Sequence, residues 1–282
     1  PRQESEELMA KIAVMGAGSW GTTFAKVLAD NPENEVVLWA RRKDVADEIN
    51  QDRRNGDYLP GVHLPKTLTA KTDVASVLAD AELVFLSVPS QSLRGNLQEW
   101  GPLLPKNAIL VSLMKGVEKD TGLRMSEVIE SVTGFPAAQI AVVSGPNLAL
   151  EIAQEQPAAS VAASTSTATA AVVAKAARNH YFTTFTNKDV IGTEFGGILK
   201  NLIAVAIGIV NGVGYGENTK ASIMTRGLAE ISRFAVAYGA KATTMVGLAG
   251  LGDEQGCLVV GAASIAPAAG SHVLGRVNGG GG

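Results

Sequence analysis

The stretch "KIAVMGAGSWGTTFAKVLAD", residues 11–30, combines a strand, a glycine-rich turn and a helix in immediate succession. Its first residues are apolar and β-branched, which predicts a buried strand. "GAGSWG" (16–21) then fits the pattern G-x-G-x-x-G. In this context Gly16 allows a tight turn, Gly18 lets a pyrophosphate approach the backbone, and Gly21 allows close helix packing. The stretch predicts a dinucleotide-binding unit; a purely structural turn is the alternative.

The alternation of strand and helix continues beyond this unit. Short apolar segments recur at residues 35–40, 82–89, 108–116 and 140–146, with a weaker one at 67–73. Segments rich in Val, Ile and Leu that alternate with helices are typical of a parallel sheet covered on both faces. Two more strands, 158–165 and 181–187, are expected to flank an alanine-rich helix. We therefore predict an α/β fold, a Rossmann-type doubly wound sheet, in a dinucleotide-binding domain of residues 9–188.

From Asp189 onward the sequence shows only helical patterns, and we predict an all-helical C-terminal domain of residues 189–282 that binds substrate. One helix passes through Lys200, and another extends from about Asn218 to Tyr238. Asn218 is a favourable N-cap and Gly239 a favourable helix stop. The second helix has an apolar stripe of roughly helical spacing, formed by Ile223, Leu228, Ile231 and Ala235.

The overall composition narrows the classes of protein. The chain has 282 residues, of which 46% are hydrophobic and 18% charged, so a sizeable core is expected. A net charge of −3 gives no reason to expect nucleic acid as a partner. No uninterrupted apolar run reaches the roughly 18 residues that span a membrane. A single cysteine, Cys257, suits a reducing compartment. We predict a soluble cytoplasmic enzyme or binding module without a membrane span.

The residues that follow the predicted strands carry polar and charged groups. Arg41 and Arg42 follow the second strand; later strands are followed by Pro89-Ser90, Lys115-Gly116 and Gly145-Pro146-Asn147. In doubly wound folds, ligands bind at the carboxyl edge of the sheet, where all these residues are expected to meet. A plain loop lysine and a plain turn are the alternatives for the last two groups.

The two arginines bear on the choice of cofactor. A carboxylate after the second strand would bind the ribose 2′-hydroxyl, whereas arginine suits a 2′-phosphate. Arg41 and Arg42 therefore predict NADP, and the nearby Asp44 leaves room for NAD. Two solvated surface arginines are the alternative.

Lys200 lies in the apolar stretch "EFGGILKNLIAVAIG" (194–208). Gly196 and Gly197, one helical turn earlier, are expected to leave a bare groove beside it. Partial burial destabilises a charged amine and suits it to proton transfer. Asp253, in "GLGD" (250–253), is the candidate counter-charge. A lysine that reaches solvent from a helix end is the alternative.

Eight segments occur in the order found in glycerol-3-phosphate dehydrogenases, and over residues 11–253 the chain resembles the bacterial NAD(P)-dependent enzymes of this family. They are "GAGSWGT", "LWARR", "YLPGVHLP", "KGVE", "SGPNLA", "GGILKN", "NTKASIMTRGLAE" and "GLAGLGD". The resemblance implies an oxidoreductase that transfers hydride reversibly between NAD(P)H and dihydroxyacetone phosphate. Its product would be sn-glycerol 3-phosphate for phospholipid biosynthesis. A homodimer is compatible with it.

The resemblance also implies roles for individual residues. Lys200 matches the catalytic acid/base, and Asp253 an aspartate beside it. Lys115 matches a lysine that contacts substrate, where it would stabilise charge growing on the carbonyl oxygen. The expected substrate contacts are Lys115, Gly145, Asn147, Lys200, Asn201 and Asp253. The expected cofactor contacts are Gly16, Gly18, Ser19, Trp20, Gly21, Arg41, Arg42, Lys115 and Ala149. No metal is expected, since no ligand spacing connects His63, His180, His272 and Cys257.

After Asp253 the sequence departs from the family pattern. The family has a Ser-Arg-Asn triplet there that holds the substrate phosphate, whereas this chain reads "EQGCLVVGAASIAPAAGSHVLGRVNGGGG". Arg276 lacks the right neighbours. Either the phosphate clamp is lost, or the helical domain is incomplete after residue 253 and the natural chain carries the triplet. Two rival functions stay open: a related Rossmann β-hydroxyacid dehydrogenase and a non-catalytic dinucleotide-binding protein.

Overall fold

The structure is a computed structural model that describes residues 9–248 and 250. The predictions about Asp253 and about the tail that follows it lie outside these residues. An eight-stranded sheet crosses the described chain. Its strands are β1 (Ala10–Met15), β2 (Asn34–Trp39), β3 (Thr69–Lys71), β4 (Leu83–Leu86), β5 (Ile109–Ser112), β6 (Ile140–Ser144), β7 (Ala158–Ala163) and β8 (Phe182–Asn187).

The strand order is β3-β2-β1-β4-β5-β6-β7-β8. The six strands from β3 to β6 in this order are parallel, as predicted. β7 is the exception, because it pairs antiparallel with β6, and β8 is then parallel to β7. The prediction of a wholly parallel sheet is wrong at this point. The link from β6 to β7 holds one short helix, after which the chain returns beside β6 in the opposite direction.

Helices cover both faces of the sheet and create two cores. They are α1 (Ser19–Ala29), α2 (Lys43–Gln51), α3 (Val74–Leu78), α4 (Leu93–Trp100), α5 (Met125–Thr133), α6 (Ala149–Ala153) and α7 (Thr167–Ala176). Successive side chains of β1 enter opposite cores, since Ile12 and Val14 pack on one face and Ala13 and Met15 on the other. The predicted Rossmann-type, doubly wound α/β class is confirmed.

Within the described residues, the sheet is followed by the helices α8 (Val190–Val213), α9 (Glu217–Ala237) and α10 (Ala242–Met245). They share a separate core formed by Phe195, Ile203, Ile207, Ile231, Ala235, Ala240 and Met245. The predicted N-cap of α9 is wrong, because Gly216 in an extended conformation occupies that position and Asn218 lies inside the first turn. α9 ends at Ala237, where Gly239 adopts a φ of 97° as expected of a helix stop.

α8 is long and apolar enough, by length and composition alone, to cross a membrane. Its apolar sequence is interrupted by two charged residues, Glu194 and Lys200. Both are buried in the structure, with 6% and 7% of their surface exposed. The helix also packs against β6 and α9. Core helices commonly meet the same two criteria, so length and apolar composition do not by themselves assign α8 to a membrane.

Candidate active site

The glycine-rich loop lies where the order of the strands reverses, between β1 and β4. Ligands bind at such a switch point in open α/β sheets. Gly16 has a φ of 128°, and a Cβ there would overlap the carbonyl oxygen of Ser87, which follows β4. A Cβ on Gly21 would overlap the carbonyl oxygen of Gly16. Gly18, by contrast, faces open space. The loop is therefore closely packed against the protein and open only at Gly18, where a ligand can approach its backbone.

The helix that follows this loop has a free N-terminus. Gly18 is the N-cap of α1, no side chain caps the helix, and its first turn contains no acidic residue. The first amide groups of such a helix have no partners within it and carry positive potential. An anionic phosphate group is the ligand that this arrangement favours.

Two neighbouring clefts extend from the loop along the carboxyl edge of the sheet. One has a volume of about 410 Å³ and reaches Trp20, Lys115 and Asn147. The other has a volume of about 350 Å³ and reaches Arg41 and Arg42. The residues that line both are Gly18, Ser87, Val88 and Pro89. The structure therefore brings the glycine loop, the two arginines, Lys115 and Asn147 to one edge, as the strand positions predicted.

A segment that sequence reasoning did not single out holds the glycine loop. Asn55, with 1% of its surface exposed, donates from Nδ2 to the carbonyl oxygen of Ala17 at 3.0 Å and to Thr22 Oγ1 at 2.8 Å. Ser19 Oγ donates to the carbonyl oxygen of Tyr58 at 2.6 Å. We call residues 55–58 the clamp segment. Asn55 carries no local signal, since its partners are 33 and 38 residues away in the chain.

The two arginines differ in their surroundings, although both are exposed. Arg42 Nη2 lies 2.6 Å from Asp57 Oδ2 and 2.9 Å from Asp44 Oδ2. The hydrogen bond to Asp57, followed by the one to Asp44, raises the pKa of Arg42. Arg41 makes no hydrogen bond or ion pair with any residue that the structure describes. Of the two arginines, Arg42 is therefore the one that is engaged with the described part of the protein.

Polar groups converge where β5 and β6 end. Lys115 Nζ donates to the carbonyl oxygen of Gly145 at 3.1 Å. Asn147 Oδ1 accepts a hydrogen bond of 2.8 Å from Ser160 Oγ. Within the described part of the chain, Asn147 Nδ2 and Ser144 Oγ are buried without a partner. Because buried polar atoms are seldom left unsatisfied, these two are candidate contacts for a polar ligand.

At Gly197 the prediction of a bare groove beside Lys200 is wrong. A Cβ on Gly197 would overlap Ser144 Oγ and would lie 3.5 Å from both Cδ and Cε of Lys115. Gly197 thus allows α8 to lie directly on the end of β6 and on the Lys115 side chain. Lys200 follows one turn later on the same helix face, buried, and does not line either cleft.

A buried ion pair fixes α8 to the sheet domain. Glu194 Oε2 accepts from Arg124 Nη1 and, at 2.6 Å, from Ser126 Oγ, while Oε1 accepts from the Ser126 amide at 2.9 Å. Burial raises the pKa of Glu194, and the contacts to Arg124 and Ser126 oppose that rise. The bonds join α8 to the beginning of α5 and hold the helix that carries Lys200.

The remaining predicted site residues lie around this centre. Ala149 begins α6, and its carbonyl oxygen accepts from Thr23 Oγ1 of α1 at 3.2 Å. Trp20 lies edge-on to Phe24 with ring centroids 5.4 Å apart. Asn201 is exposed on α8. The position of Asp253 relative to Lys200 stays a prediction.

Comparison with known families gives two matches that cover most of the chain. Residues 11–170 match the family described as NAD-dependent glycerol-3-phosphate dehydrogenase N-terminus. Residues 189–259 match the corresponding C-terminus.

Individual relatives carry the same name. The glycerol-3-phosphate dehydrogenase [NAD(P)+] of Leifsonia xyli is 63% identical over 240 residues, covering 85% of this chain and 65% of the relative. That of Corynebacterium diphtheriae is 58% identical over 243 residues, covering 86% of this chain and 73% of the relative. This chain thus spans less than two thirds of the length of the first relative and nearly three quarters of the second.

Solved structures agree with these matches. Glycerol-3-phosphate dehydrogenase from Coxiella burnetii superposes with a TM-score of 0.82 at 33% identity, covering 90% of this chain and 81% of that one. The enzyme from Saccharomyces cerevisiae gives 0.80 at 28% identity, covering 91% and 81%.

Proposed function

Because the chain belongs to the family of NAD-dependent glycerol-3-phosphate dehydrogenases, we propose that it interconverts dihydroxyacetone phosphate and sn-glycerol 3-phosphate with NAD(P). The observation that carries the proposal is a single cleft, which has the glycine loop at one end and Lys115 with Asn147 at the other. Such a cleft provides for a dinucleotide and for a small polar substrate beside it. The rival β-hydroxyacid and non-catalytic functions have no comparable support.

The residues present fit a nicotinamide dinucleotide. The uncapped start of α1 and the open backbone at Gly18 would hold the pyrophosphate. Ser19 and Trp20 lie in the first turn of that helix, and Arg41 and Arg42 line the cleft where the adenosine ribose would bind. Ala149 is held beside α1 by Thr23. When bound, the cofactor supplies or accepts the hydride.

Lys115 is proposed to bind substrate and to stabilise negative charge on its carbonyl oxygen. Its ammonium group donates to the carbonyl oxygen of Gly145 and places a positive charge at the cleft. Asn147 Nδ2 is a buried donor without a partner in the described structure, so it is suited to the same oxygen or to a substrate hydroxyl. Fixed donors at a site of growing charge lower the barrier without reorganisation during the reaction.

Lys200 is proposed as the proton donor. It would give a proton to the carbonyl oxygen of dihydroxyacetone phosphate during reduction and take it back from the hydroxyl group of sn-glycerol 3-phosphate in the reverse direction. Burial on α8, next to the end of β6, supports this role because water is largely excluded there. Asp253 is proposed as its neighbour, and Gly145 and Asn201 as further substrate contacts.

An assay of hydride transfer tests the proposed function. Purified protein mixed with dihydroxyacetone phosphate should oxidise NADPH or NADH, so the near-ultraviolet absorbance of the reduced cofactor should decrease, with sn-glycerol 3-phosphate as the product. Dihydroxyacetone without phosphate should react much more slowly, since it offers no anion to bind. Turnover of a β-hydroxyacid in place of the phosphate ester would contradict the proposal, and so would cofactor binding without any turnover.

Two further points complete the proposal. We propose that the enzyme acts in the cytoplasm in phospholipid biosynthesis, which the family and a cysteine-poor sequence support. We propose a division into a dinucleotide-binding domain (9–188) and a helical domain (189–282).

A further inference from the structure

We infer that Asp57 and Asp44 determine how strongly the protein prefers NADP over NAD, by competing with the 2′-phosphate for Arg42. The inference rests on the proposed function, since it concerns the cofactor of the same site. It starts from the difference between two adjacent arginines that line one cleft.

Arg42 presents to the two aspartates the edge that arginine uses to bind anions. Its Nε donates to Asp44 Oδ1 at 3.1 Å, and its Nη2 donates to Asp57 Oδ2 at 2.6 Å. Guanidinium groups hold carboxylates and phosphates through such paired N–H donors. A 2′-phosphate that approaches Arg42 therefore finds its N–H donors already bonded to Asp44 and Asp57. The two carboxylates are negatively charged, as the phosphate is, and repel it. Arg41, without a partner in the described structure, is the cation left to bind it.

The position of Asp57 makes this competition a fixed property of the site. Asp57 belongs to the clamp segment, whose Asn55 holds Ala17 and whose Tyr58 carbonyl holds Ser19. The bonds to the glycine loop keep Asp57 beside Arg42. NAD carries no 2′-phosphate, so it can bind while the Arg42 ion pairs stay intact. The protein can thus accept both dinucleotides, with a preference that the aspartates reduce.

Titrations with NADPH and NADH in the absence of substrate test the inference. Asp57→Asn removes one competing charge and keeps the shape of the side chain. The ratio of the NADH to the NADPH dissociation constant should rise about three- to tenfold, and further in the double variant with Asp44→Asn, most clearly at low salt. Asp47→Asn is the matched control. Asp47 pairs with Lys43 at 2.6 Å on the same helix without contacting Arg42, so the ratio should change less than about twofold.

The two cofactors distinguish the outcomes. An unchanged ratio in Asp57→Asn, with NADH binding intact, would overturn the inference, and a lower ratio would show that Asp57 orients Arg42 toward the phosphate instead. If the affinities for both dinucleotides fall together, the clamp segment has been disturbed. The test is then the ratio of dissociation constants in Asp44→Asn alone, because Asp44 lies outside that segment. If the unmodified protein binds neither dinucleotide, the proposed function fails rather than this inference.

Discussion

Gly197 shows how one missing side chain determines the geometry of the site. A Cβ at this position would overlap Ser144 Oγ, so either the Ser144 side chain or α8 would have to shift. Glycine inside a helix costs about 1 kcal/mol relative to alanine, so the close approach has to offset that cost. Lys200, one turn later on the same helix, is buried.

We predict that Lys200→Met lowers kcat by at least about 10²-fold, because the variant keeps the packing of the alkyl chain but has no proton to donate. The dissociation constant for NADPH should barely change, since Lys200 does not line either cleft around the glycine loop. Lys188→Met, a change of the same kind at an exposed residue just before α8, serves as the control. Near-normal turnover of Lys200→Met would rule out the assignment.

Among the helices, α8 carries the greatest functional constraint. It joins the sheet domain to the helical core, contains two buried charged residues, Glu194 and Lys200, and is anchored by the first of them. A buried carboxylate with three hydrogen bonds fixes direction as well as position, which hydrophobic packing alone does less well. The energetic risk is that the loss of one partner leaves a charge buried without compensation.

We predict that Glu194→Ala reduces the free energy of unfolding by about 3–5 kcal/mol, because it leaves Arg124 and Ser126 without their buried acceptor. Urea denaturation measures this, and kcat should fall with it as α8 loses its anchor. Glu127→Ala is the control: Glu127 also pairs with Arg124, but 39% of its side chain is exposed, so about 1 kcal/mol or less is expected. Equal losses in the two variants would contradict the anchoring role.

For the whole molecule, the distribution of exposed apolar side chains is uneven. Within the described structure, one face of α8 exposes about 60% of each of four large residues: Leu202 (65%), Val205 (58%), Ile209 (60%) and Val213 (62%). Contiguous apolar surface of this kind usually mediates contacts with other protein. A second copy of the chain is the partner that we propose, and a homodimer is compatible with the family resemblance.

We predict that the protein sediments as a dimer and that Ile209→Glu shifts it toward the monomer, since a charge in an apolar interface has to be desolvated. Val172→Glu is the control, because Val172 is 46% exposed on α7, in the sheet domain away from this face. Sedimentation velocity of the three proteins at equal concentration measures the effect. A monomer for the unmodified chain at micromolar concentration would contradict the prediction.

Local patterns in the chain were sufficient to predict the elements and the edge where the site lies. Five of the strands that form the parallel part of the sheet can be recognised in the sequence as short apolar runs. The glycine loop can be recognised because it directly follows the first of them. Arg41, Lys115 and Asn147 could be placed because residues after parallel strands necessarily share an edge. All of these inferences use only near neighbours in the sequence or the general rule for strand order.

The contacts that shape the site could be seen only after the chain had folded. Asp57 meets Arg42 across 15 residues, Asn55 meets Ala17 across 38, and Glu194 meets Arg124 across 70. Periodicity and turn propensity do not predict such pairs, because the pairs form where separate elements pack against each other. The prediction for Gly197 was wrong for the same reason. The sequence indicates only that the helix surface lacks a side chain there. The position of β6 determines that protein, and not ligand, fills the space.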